Sequence, residues 1–105
     1  MGNKNSFFSV WQIRRESGKC YIDGRNESQI DIKIGDAIVS YSNEYEGEIF
    51  ELEKNITIVG IFMYNKPCDV ADSGWSASLE IDNFDIVNFK KFAILNIKSN
   101  SIPVA

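Results

Sequence analysis

Few side chains in this sequence are of the types that carry out catalysis. Its 105 residues include no histidine, which excludes imidazole as a general base, nucleophile or metal ligand. Asp69 and Asp72 form a pair of carboxylates three positions apart, but the sequence shows no partner base or nucleophile for them, as acid–base catalysis requires. We therefore expect a non-catalytic protein, with an enzyme using these two carboxylates as the less favoured alternative.

Metal and cofactor sites are not predicted either. Cys20 and Cys68 belong to no C-x-x-C pair, so neither a zinc ribbon nor a thioredoxin-like site is indicated, and we expect two buried thiols. Glutamates alternate along residues 43–53, which spreads them along a ribbon, whereas a calcium loop groups its oxygen ligands around a tight glycine turn. We expect a solvated acidic hairpin there.

The net charge of −4 is unevenly distributed along the chain. Residues 1–25 carry a net charge of +3, whereas residues 26–54 carry −6. An acidic chain without a long basic run is a poor general binder of phosphate backbones. The acidic hairpin, with Glu46 and Glu48, is suited instead to steer a basic partner. We expect charge reversal at these two residues to weaken partner capture without changing the thermal midpoint.

The longest apolar stretch covers residues 56–64 and is interrupted by Thr57 and Gly60. It is about half the length that crosses a bilayer, so no membrane span is predicted. The first ten residues begin with polar side chains and do not form a signal peptide pattern. We therefore expect a cytoplasmic protein.

Apolar residues alternate or cluster in short runs that are rich in β-branched and aromatic side chains, which is typical of strands. The pattern predicts an all-β chain with one domain at residues 7–98, an N-terminal tail at 1–6 and a C-terminal tail at 99–105. Six strands in so short a chain suggest a small barrel. The predicted strands are residues 7–14, 19–23, 37–42, 49–64, 75–81 and 92–97.

Local irregularities are predicted at three places. The apolar residues change parity between Ile58 and Val59, and a flat strand cannot bury both on one side, so either a bulge or a central strand buried on both faces is expected there. Residues 69–74 are predicted to form a single helical turn that ends at a glycine with positive φ, Gly74. Residues 85–89 are predicted to form a second turn of this kind.

Two glycine-containing motifs follow one another along the chain. The first is a glycine–arginine turn at Gly24 and Arg25, followed by the hydrophobic-lysine-hydrophobic-glycine-acid run of residues 32–36. The second motif consists of Gly60, Ile61, Lys66, Asp69 and Gly74. In this order the two motifs resemble domain 2 of elongation factor Tu and the related barrel of other translational GTPases. The resemblance covers residues 7–98 and implies a closed antiparallel barrel of about six strands.

In that family the barrel lies beside a GTP-binding domain, helps to hold the acceptor end of aminoacyl-tRNA and contacts the small ribosomal subunit. This sequence has no G-x-x-x-x-G-K-[ST] phosphate loop, so nucleotide binding of the family's kind is not expected. One function implied by the resemblance is an RNA- or ribosome-associated module that retains contacts through Arg25 and Lys33.

The chain departs from the family at the positions that contact the RNA end. Phe62 and Asn65 stand where the family has a glutamate and an arginine, and Trp75 stands at a position that in the family forms part of the wall of the amino-acid pocket. These changes remove polar partners that an RNA end needs. Phe62, Tyr64 and Trp75 either form an exposed patch for a partner or fill the barrel and cover its end. The favoured function is therefore a non-catalytic, protein-binding module that uses these residues and Asn65.

Overall fold

The computed structural model describes residues 5–43, 49–82 and 93–99. All of its regular elements are β-strands, which confirms the all-β prediction, and no helix capable of crossing a membrane occurs within these ranges. The nine strands are β1 (Asn5–Glu16), β2 (Lys19–Asn26), β3 (Ile32–Lys33), β4 (Ala37–Asn43), β5 (Ile49–Met63), β6 (Lys66–Cys68), β7 (Val70–Ala71), β8 (Ser76–Ile81) and β9 (Ala93–Lys98).

The six longest strands form a closed ring of antiparallel pairs. Their order is β4-β9-β1-β2-β8-β5, and β5 pairs with β4 to complete the ring. Each of these strands matches one predicted from the sequence. The short strands β3, β6 and β7 were not predicted, because two or three residues are too few to show a period of two.

The core lies inside the ring and consists mainly of isoleucine side chains. Along β2 and β8, every second residue is buried, as the pleat of a strand requires. Cys20 is buried, but Cys68 is only half-buried on β6, so the expectation of two buried thiols was wrong for Cys68. The largest fully buried apolar side chains are Phe8, Ile22, Ile32, Ile38, Ile56, Ile58, Ile61, Leu79, Leu95, Ile97 and Val10.

Register shifts occur in several strand pairs of the ring, and two of them, in β5 and β1, concern residues with exposed apolar side chains. In β5 the register with β8 shifts between Ile58 and Gly60, so Val59 is the extra residue and, of the two predicted alternatives, the bulge is confirmed. In β1 the register with β2 shifts between Val10 and Gln12, which makes Trp11 the extra residue. A bulge re-aims the side chains around it, and here it leaves Trp11 on the outer surface.

Residues 32–36 contain a tight turn that is attached to β5. The Asp36 N–H donates to the Lys33 carbonyl over 3.1 Å, and Gly35 has a φ of 98°, a conformation that favours glycine. The Gly35 N–H donates to the Ile58 carbonyl, and the Ile58 N–H donates to the Asp36 carbonyl. The turn is thus held against β5 next to its bulge.

Two local predictions were wrong. Residues 69–74 form no helical turn, because Val70 and Ala71 pair with β3 and obtain their backbone hydrogen bonds there. A tight turn follows, in which the Trp75 N–H donates to the Asp72 carbonyl. Gly24 and Arg25, expected in a turn, lie inside β2, because β1 and β8 pair with both of these residues. Residues 85–89 lie outside the described ranges.

Candidate functional site

The outer face of β2, β8 and β5 carries a shallow groove of about 180 Å³. The register places Asp23 beside Ser78 and Ser78 beside Phe62, so polar side chains form its floor. We call this feature the aromatic groove; the residues lining it include Trp11, Asp23, Phe62, Tyr64, Asn65 and Ser76. Trp75 lies next to it, with its ring against Tyr64.

Tyr64 and Asn65 form the two-residue turn between β5 and β6. Both have positive φ, 54° and 63°, and the flanking residues Met63 and Lys66 are paired, as in a type I′ hairpin turn. Asparagine tolerates this conformation, whereas a bulky side chain in it is an outlier. Tyr64 is also 80% exposed, so neither burial nor the preferred turn chemistry explains a tyrosine at this position.

Trp75 is 51% exposed, and its ring meets that of Tyr64 edge to face, with 6.5 Å between centroids. The backbone beneath it is tightly held, because the Asn26 N–H donates to the Trp75 carbonyl and the Gly74 N–H donates to the Asn26 carbonyl. The Arg25 Nε also donates to the Gly74 carbonyl, over 2.9 Å. Trp75 and Tyr64 are therefore surface residues on a well-anchored backbone.

Phe62 and Trp11 complete the aromatic lining from opposite sides. Phe62 is half-buried and makes an edge-to-face contact with Tyr21, with centroids 5.9 Å apart. Trp11 is exposed and was missed by the sequence reasoning. The signal was present, since Val10 and Trp11 are adjacent apolar residues of opposite parity, as are Ile58 and Val59.

Asp23 is the one carboxylate among the described residues that line the groove. Its oxygens accept hydrogen bonds from Arg14 Nε over 2.6 Å, from Ser78 Oγ over 2.6 Å and from Gln12 Nε2 over 2.8 Å. Burial acts to raise the pKa of Asp23, but these hydrogen bonds outweigh it and lower the pKa below its usual value. The charge of this carboxylate is thus compensated from within the protein.

Replacing Asp23 by asparagine should lower the free energy of unfolding at pH 7 by about 1–2 kcal/mol, because a charge-assisted pair is lost. Since the folded-state pKa is lowered, the stabilisation is present above the unfolded-state pKa of about 4 and disappears as the pH falls through the folded-state value. Urea titrations at several pH values should therefore show a deficit that shrinks in acid. An equal deficit at all pH values, or the same loss in the exposed control Asp69→Asn, would contradict this.

Replacing Trp75 by alanine should lower the free energy of unfolding by about 1 kcal/mol or less, because the ring is half exposed and loses mainly its contact with Tyr64. Chemical denaturation measures this directly. Leu79→Ala, at a fully buried position, is the comparison and should cost about 3 kcal/mol. A loss of similar size for Trp75→Ala would assign that ring to the core.

The remaining binding residues predicted from the sequence are not among the described residues that line the groove. Arg25 lies at the end of β2, where its guanidinium holds the turn before Trp75 and is 3.8 Å from a Glu27 carboxylate oxygen. Lys33 is exposed on β3, in the small separate sheet. Glu46 and Glu48 lie outside the described residues.

Among the described residues, no group of three or more histidine, cysteine, aspartate or glutamate side chains is arranged to hold a metal ion. No protein-family model matches this chain, and no curated protein matches it. The relation to domain 2 of elongation factor Tu therefore stays a prediction from the motifs. The candidate function rests on the geometry of the aromatic groove.

Proposed function

We propose that this chain is a non-catalytic module that binds another protein through the aromatic groove. In this proposal the ring of six strands is a closed β-barrel of the translation-factor domain 2 type. The pairing of β4 with β5 supports a closed structure, and the positive φ values of Gly35 and Gly74 agree with the glycines of the motifs.

The observation that carries the proposal is the exposure of Tyr64 and Trp75 side by side at the groove. Clustered aromatic residues on a surface are typical of protein interfaces, where they supply much of the binding energy. The backbone hydrogen bonds around Trp75 hold it in place before any partner arrives. Little ordering is then required on binding, and this favours affinity.

A protein partner is favoured over RNA by the charges at this site. No lysine or arginine is among the described residues that line the groove, so the groove offers no cation to a phosphate. Arg25, one of the two candidates for an RNA contact, already binds the Gly74 carbonyl. An RNA- or ribosome-associated function through Arg25 and Lys33 is the alternative that the experiment must distinguish.

The test is affinity capture from a cell extract with the full chain, at about 0.1 M and about 0.5 M salt, with bound proteins and RNA both identified. We expect a protein partner that is retained at high salt and is captured about tenfold less by Trp75→Ala, equivalent to the loss of about 1.4 kcal/mol. Phe7→Ala, which removes an exposed ring outside the groove, is the matched control and should capture normally. RNA that is lost steeply as salt rises would support the alternative.

The acidic hairpin predicted from the sequence is tested in the same assay. Charge reversal at Glu46 and Glu48 should weaken capture of a basic partner at low salt and leave the thermal midpoint nearly unchanged. Unaltered capture would eliminate the hairpin as a docking surface without affecting the proposal for the groove.

A further inference from the structure

We propose that the aromatic groove receives an uncharged, proline-rich segment of the partner in the polyproline II conformation. This inference rests on the proposed function and names the chemistry of the partner at that site. Segments of this kind bind aromatic-lined surface grooves, and their preformed extended shape reduces the entropy lost on binding.

The groove is too small to enclose a compact ligand. Its volume of about 180 Å³ is below the range of about 300–1,000 Å³ that is typical of pockets enclosing small molecules. Aromatic residues line the groove from both sides, Trp11 from β1 and Phe62 with Tyr64 from the end of β5, and their rings can pack against the pyrrolidine rings of successive prolines.

The hydrogen-bonding groups also match. A proline-rich segment offers carbonyl oxygens as acceptors and few N–H donors, because proline has none. The groove offers the Trp11 indole N–H, the Tyr64 hydroxyl and the Asn65 amide, all of which can donate. The Trp11 indole N–H can only donate, so it requires an acceptor such as a carbonyl oxygen of the bound segment.

Charge complementarity favours an uncharged segment. Asp23 accepts four hydrogen bonds, two of them from Arg14, so the groove has no carboxylate left to pair with a basic peptide. Without lysine or arginine among the described lining residues, the groove has no cation for a phosphate or an acidic peptide either. A chain of prolines requires neither kind of partner.

The conformation of Tyr64 points to a ligand as well. Its positive φ costs free energy that glycine or asparagine would avoid at the same turn position. Strained residues of this kind occur at ligand-binding sites. Here the strained turn places an exposed ring at the edge of the groove. Tyr64→Asn removes the ring and suits the turn, so the variant should fold.

The experiment titrates the full chain with decaproline and follows the backbone and indole N–H resonances. We expect saturable shifts confined to residues around Trp11, Tyr64 and Trp75, with a Kd of about 1 mM or tighter. Tyr64→Asn should weaken binding about tenfold, whereas Phe7→Ala should not change it. A (Gly-Ser)5 peptide tests for nonspecific peptide binding, and a ten-residue oligouridine tests for RNA.

The inference is overturned if decaproline causes no saturable shifts at about 5 mM, if Tyr64→Asn binds as well as the wild type, or if (Gly-Ser)5 binds equally. Oligouridine binding in place of decaproline would assign the groove to RNA and remove the proposed function too. If the chain captures a protein through Trp75 but does not bind decaproline, the proposed function stands and only the proline-rich partner is refuted.

Discussion

Replacing Gly24 by alanine is expected to lower the free energy of unfolding by about 3 kcal/mol or more, or to prevent folding altogether. A Cβ at this position would overlap the Ser9 carbonyl oxygen and lie 2.7 Å from Phe8 Cε1. The Ser9 carbonyl oxygen belongs to the backbone, which cannot rotate aside as a side chain can. Gly24 is opposite Val10, where the β1 bulge begins, so relief would require the two strands to separate.

Chemical denaturation of the variant measures the effect, and Gly60→Ala provides the matched control. Gly60 also lies at a bulge in a long strand, but a Cβ there would meet Glu80 Oε1 at 3.1 Å, the end of a flexible side chain. We expect Gly60→Ala to change the free energy of unfolding by about 1 kcal/mol or less. Equal effects of the two substitutions would show that close approach of β1 and β2 at Gly24 is not limiting.

Replacing Asn26 by aspartate should cost about 3 kcal/mol or more at pH 7. Asn26 is fully buried, and its Nδ2 donates to the Ile30 carbonyl over 2.9 Å and to the Ala71 carbonyl over 3.0 Å. Its Oδ1 accepts the Ser28 N–H over 3.0 Å. A carboxylate would turn an oxygen toward the two carbonyl oxygens and leave a buried charge beside them.

The pH dependence of this penalty identifies its cause. Burial and the two carbonyl oxygens would raise the folded-state pKa of the introduced carboxyl group above its unfolded value of about 4. The penalty should therefore be smallest below about pH 4 and grow as the pH rises toward the folded-state pKa. Unfolding titrations of the variant and the wild type at several pH values test this. A penalty independent of pH, or an equal one for the exposed control Asn65→Asp, would contradict the argument.

Several elements could be predicted because their causes are local. The alternation along residues 76–81 indicates one buried face, and the structure buries Ala77, Leu79 and Ile81. The parity change at Ile58 and Val59 indicates a bulge or a strand buried on both faces for the same reason, because neighbouring strand residues point to opposite faces. These patterns arise because one face of the sheet is buried. They can be recognised in a single strand, whichever strands it pairs with.

The pairing of β3 with β7 shows where such reasoning stops. Asp69 and Gly74 match the signals of a capped helical turn, yet the two residues between Asp69 and Asp72 pair with Ile32 and Lys33. The partner lies far away in the sequence, so no local pattern reports it. Pairing with β3 provided the backbone groups of Val70 and Ala71 with hydrogen bonds, and this outweighed the local preference for a helical turn.

The candidate site divides in the same way. Resemblance to a family drew attention to Phe62, Tyr64, Asn65 and Trp75. It left open whether the three aromatic rings lie in the interior of the sheet or on its surface. The structure leaves Tyr64 and Trp75 in solvent and adds Trp11, which a bulge in a distant strand brings to the same groove. Exposure depends on which strands surround a ring, and that is a property of the assembled sheet.

The order of side chains alone determined that this protein is built of strands and that the parity of the apolar residues changes within β5. Only the tertiary structure decided that β4 and β5 complete a ring, that Arg14 neutralises Asp23, and that Trp11, Tyr64 and Trp75 share one surface. The physical reason is the separation in sequence over which each kind of interaction acts. Alternation and propensity act between residues a few positions apart, whereas closure, charge compensation and exposure arise between residues that meet only when the chain has folded.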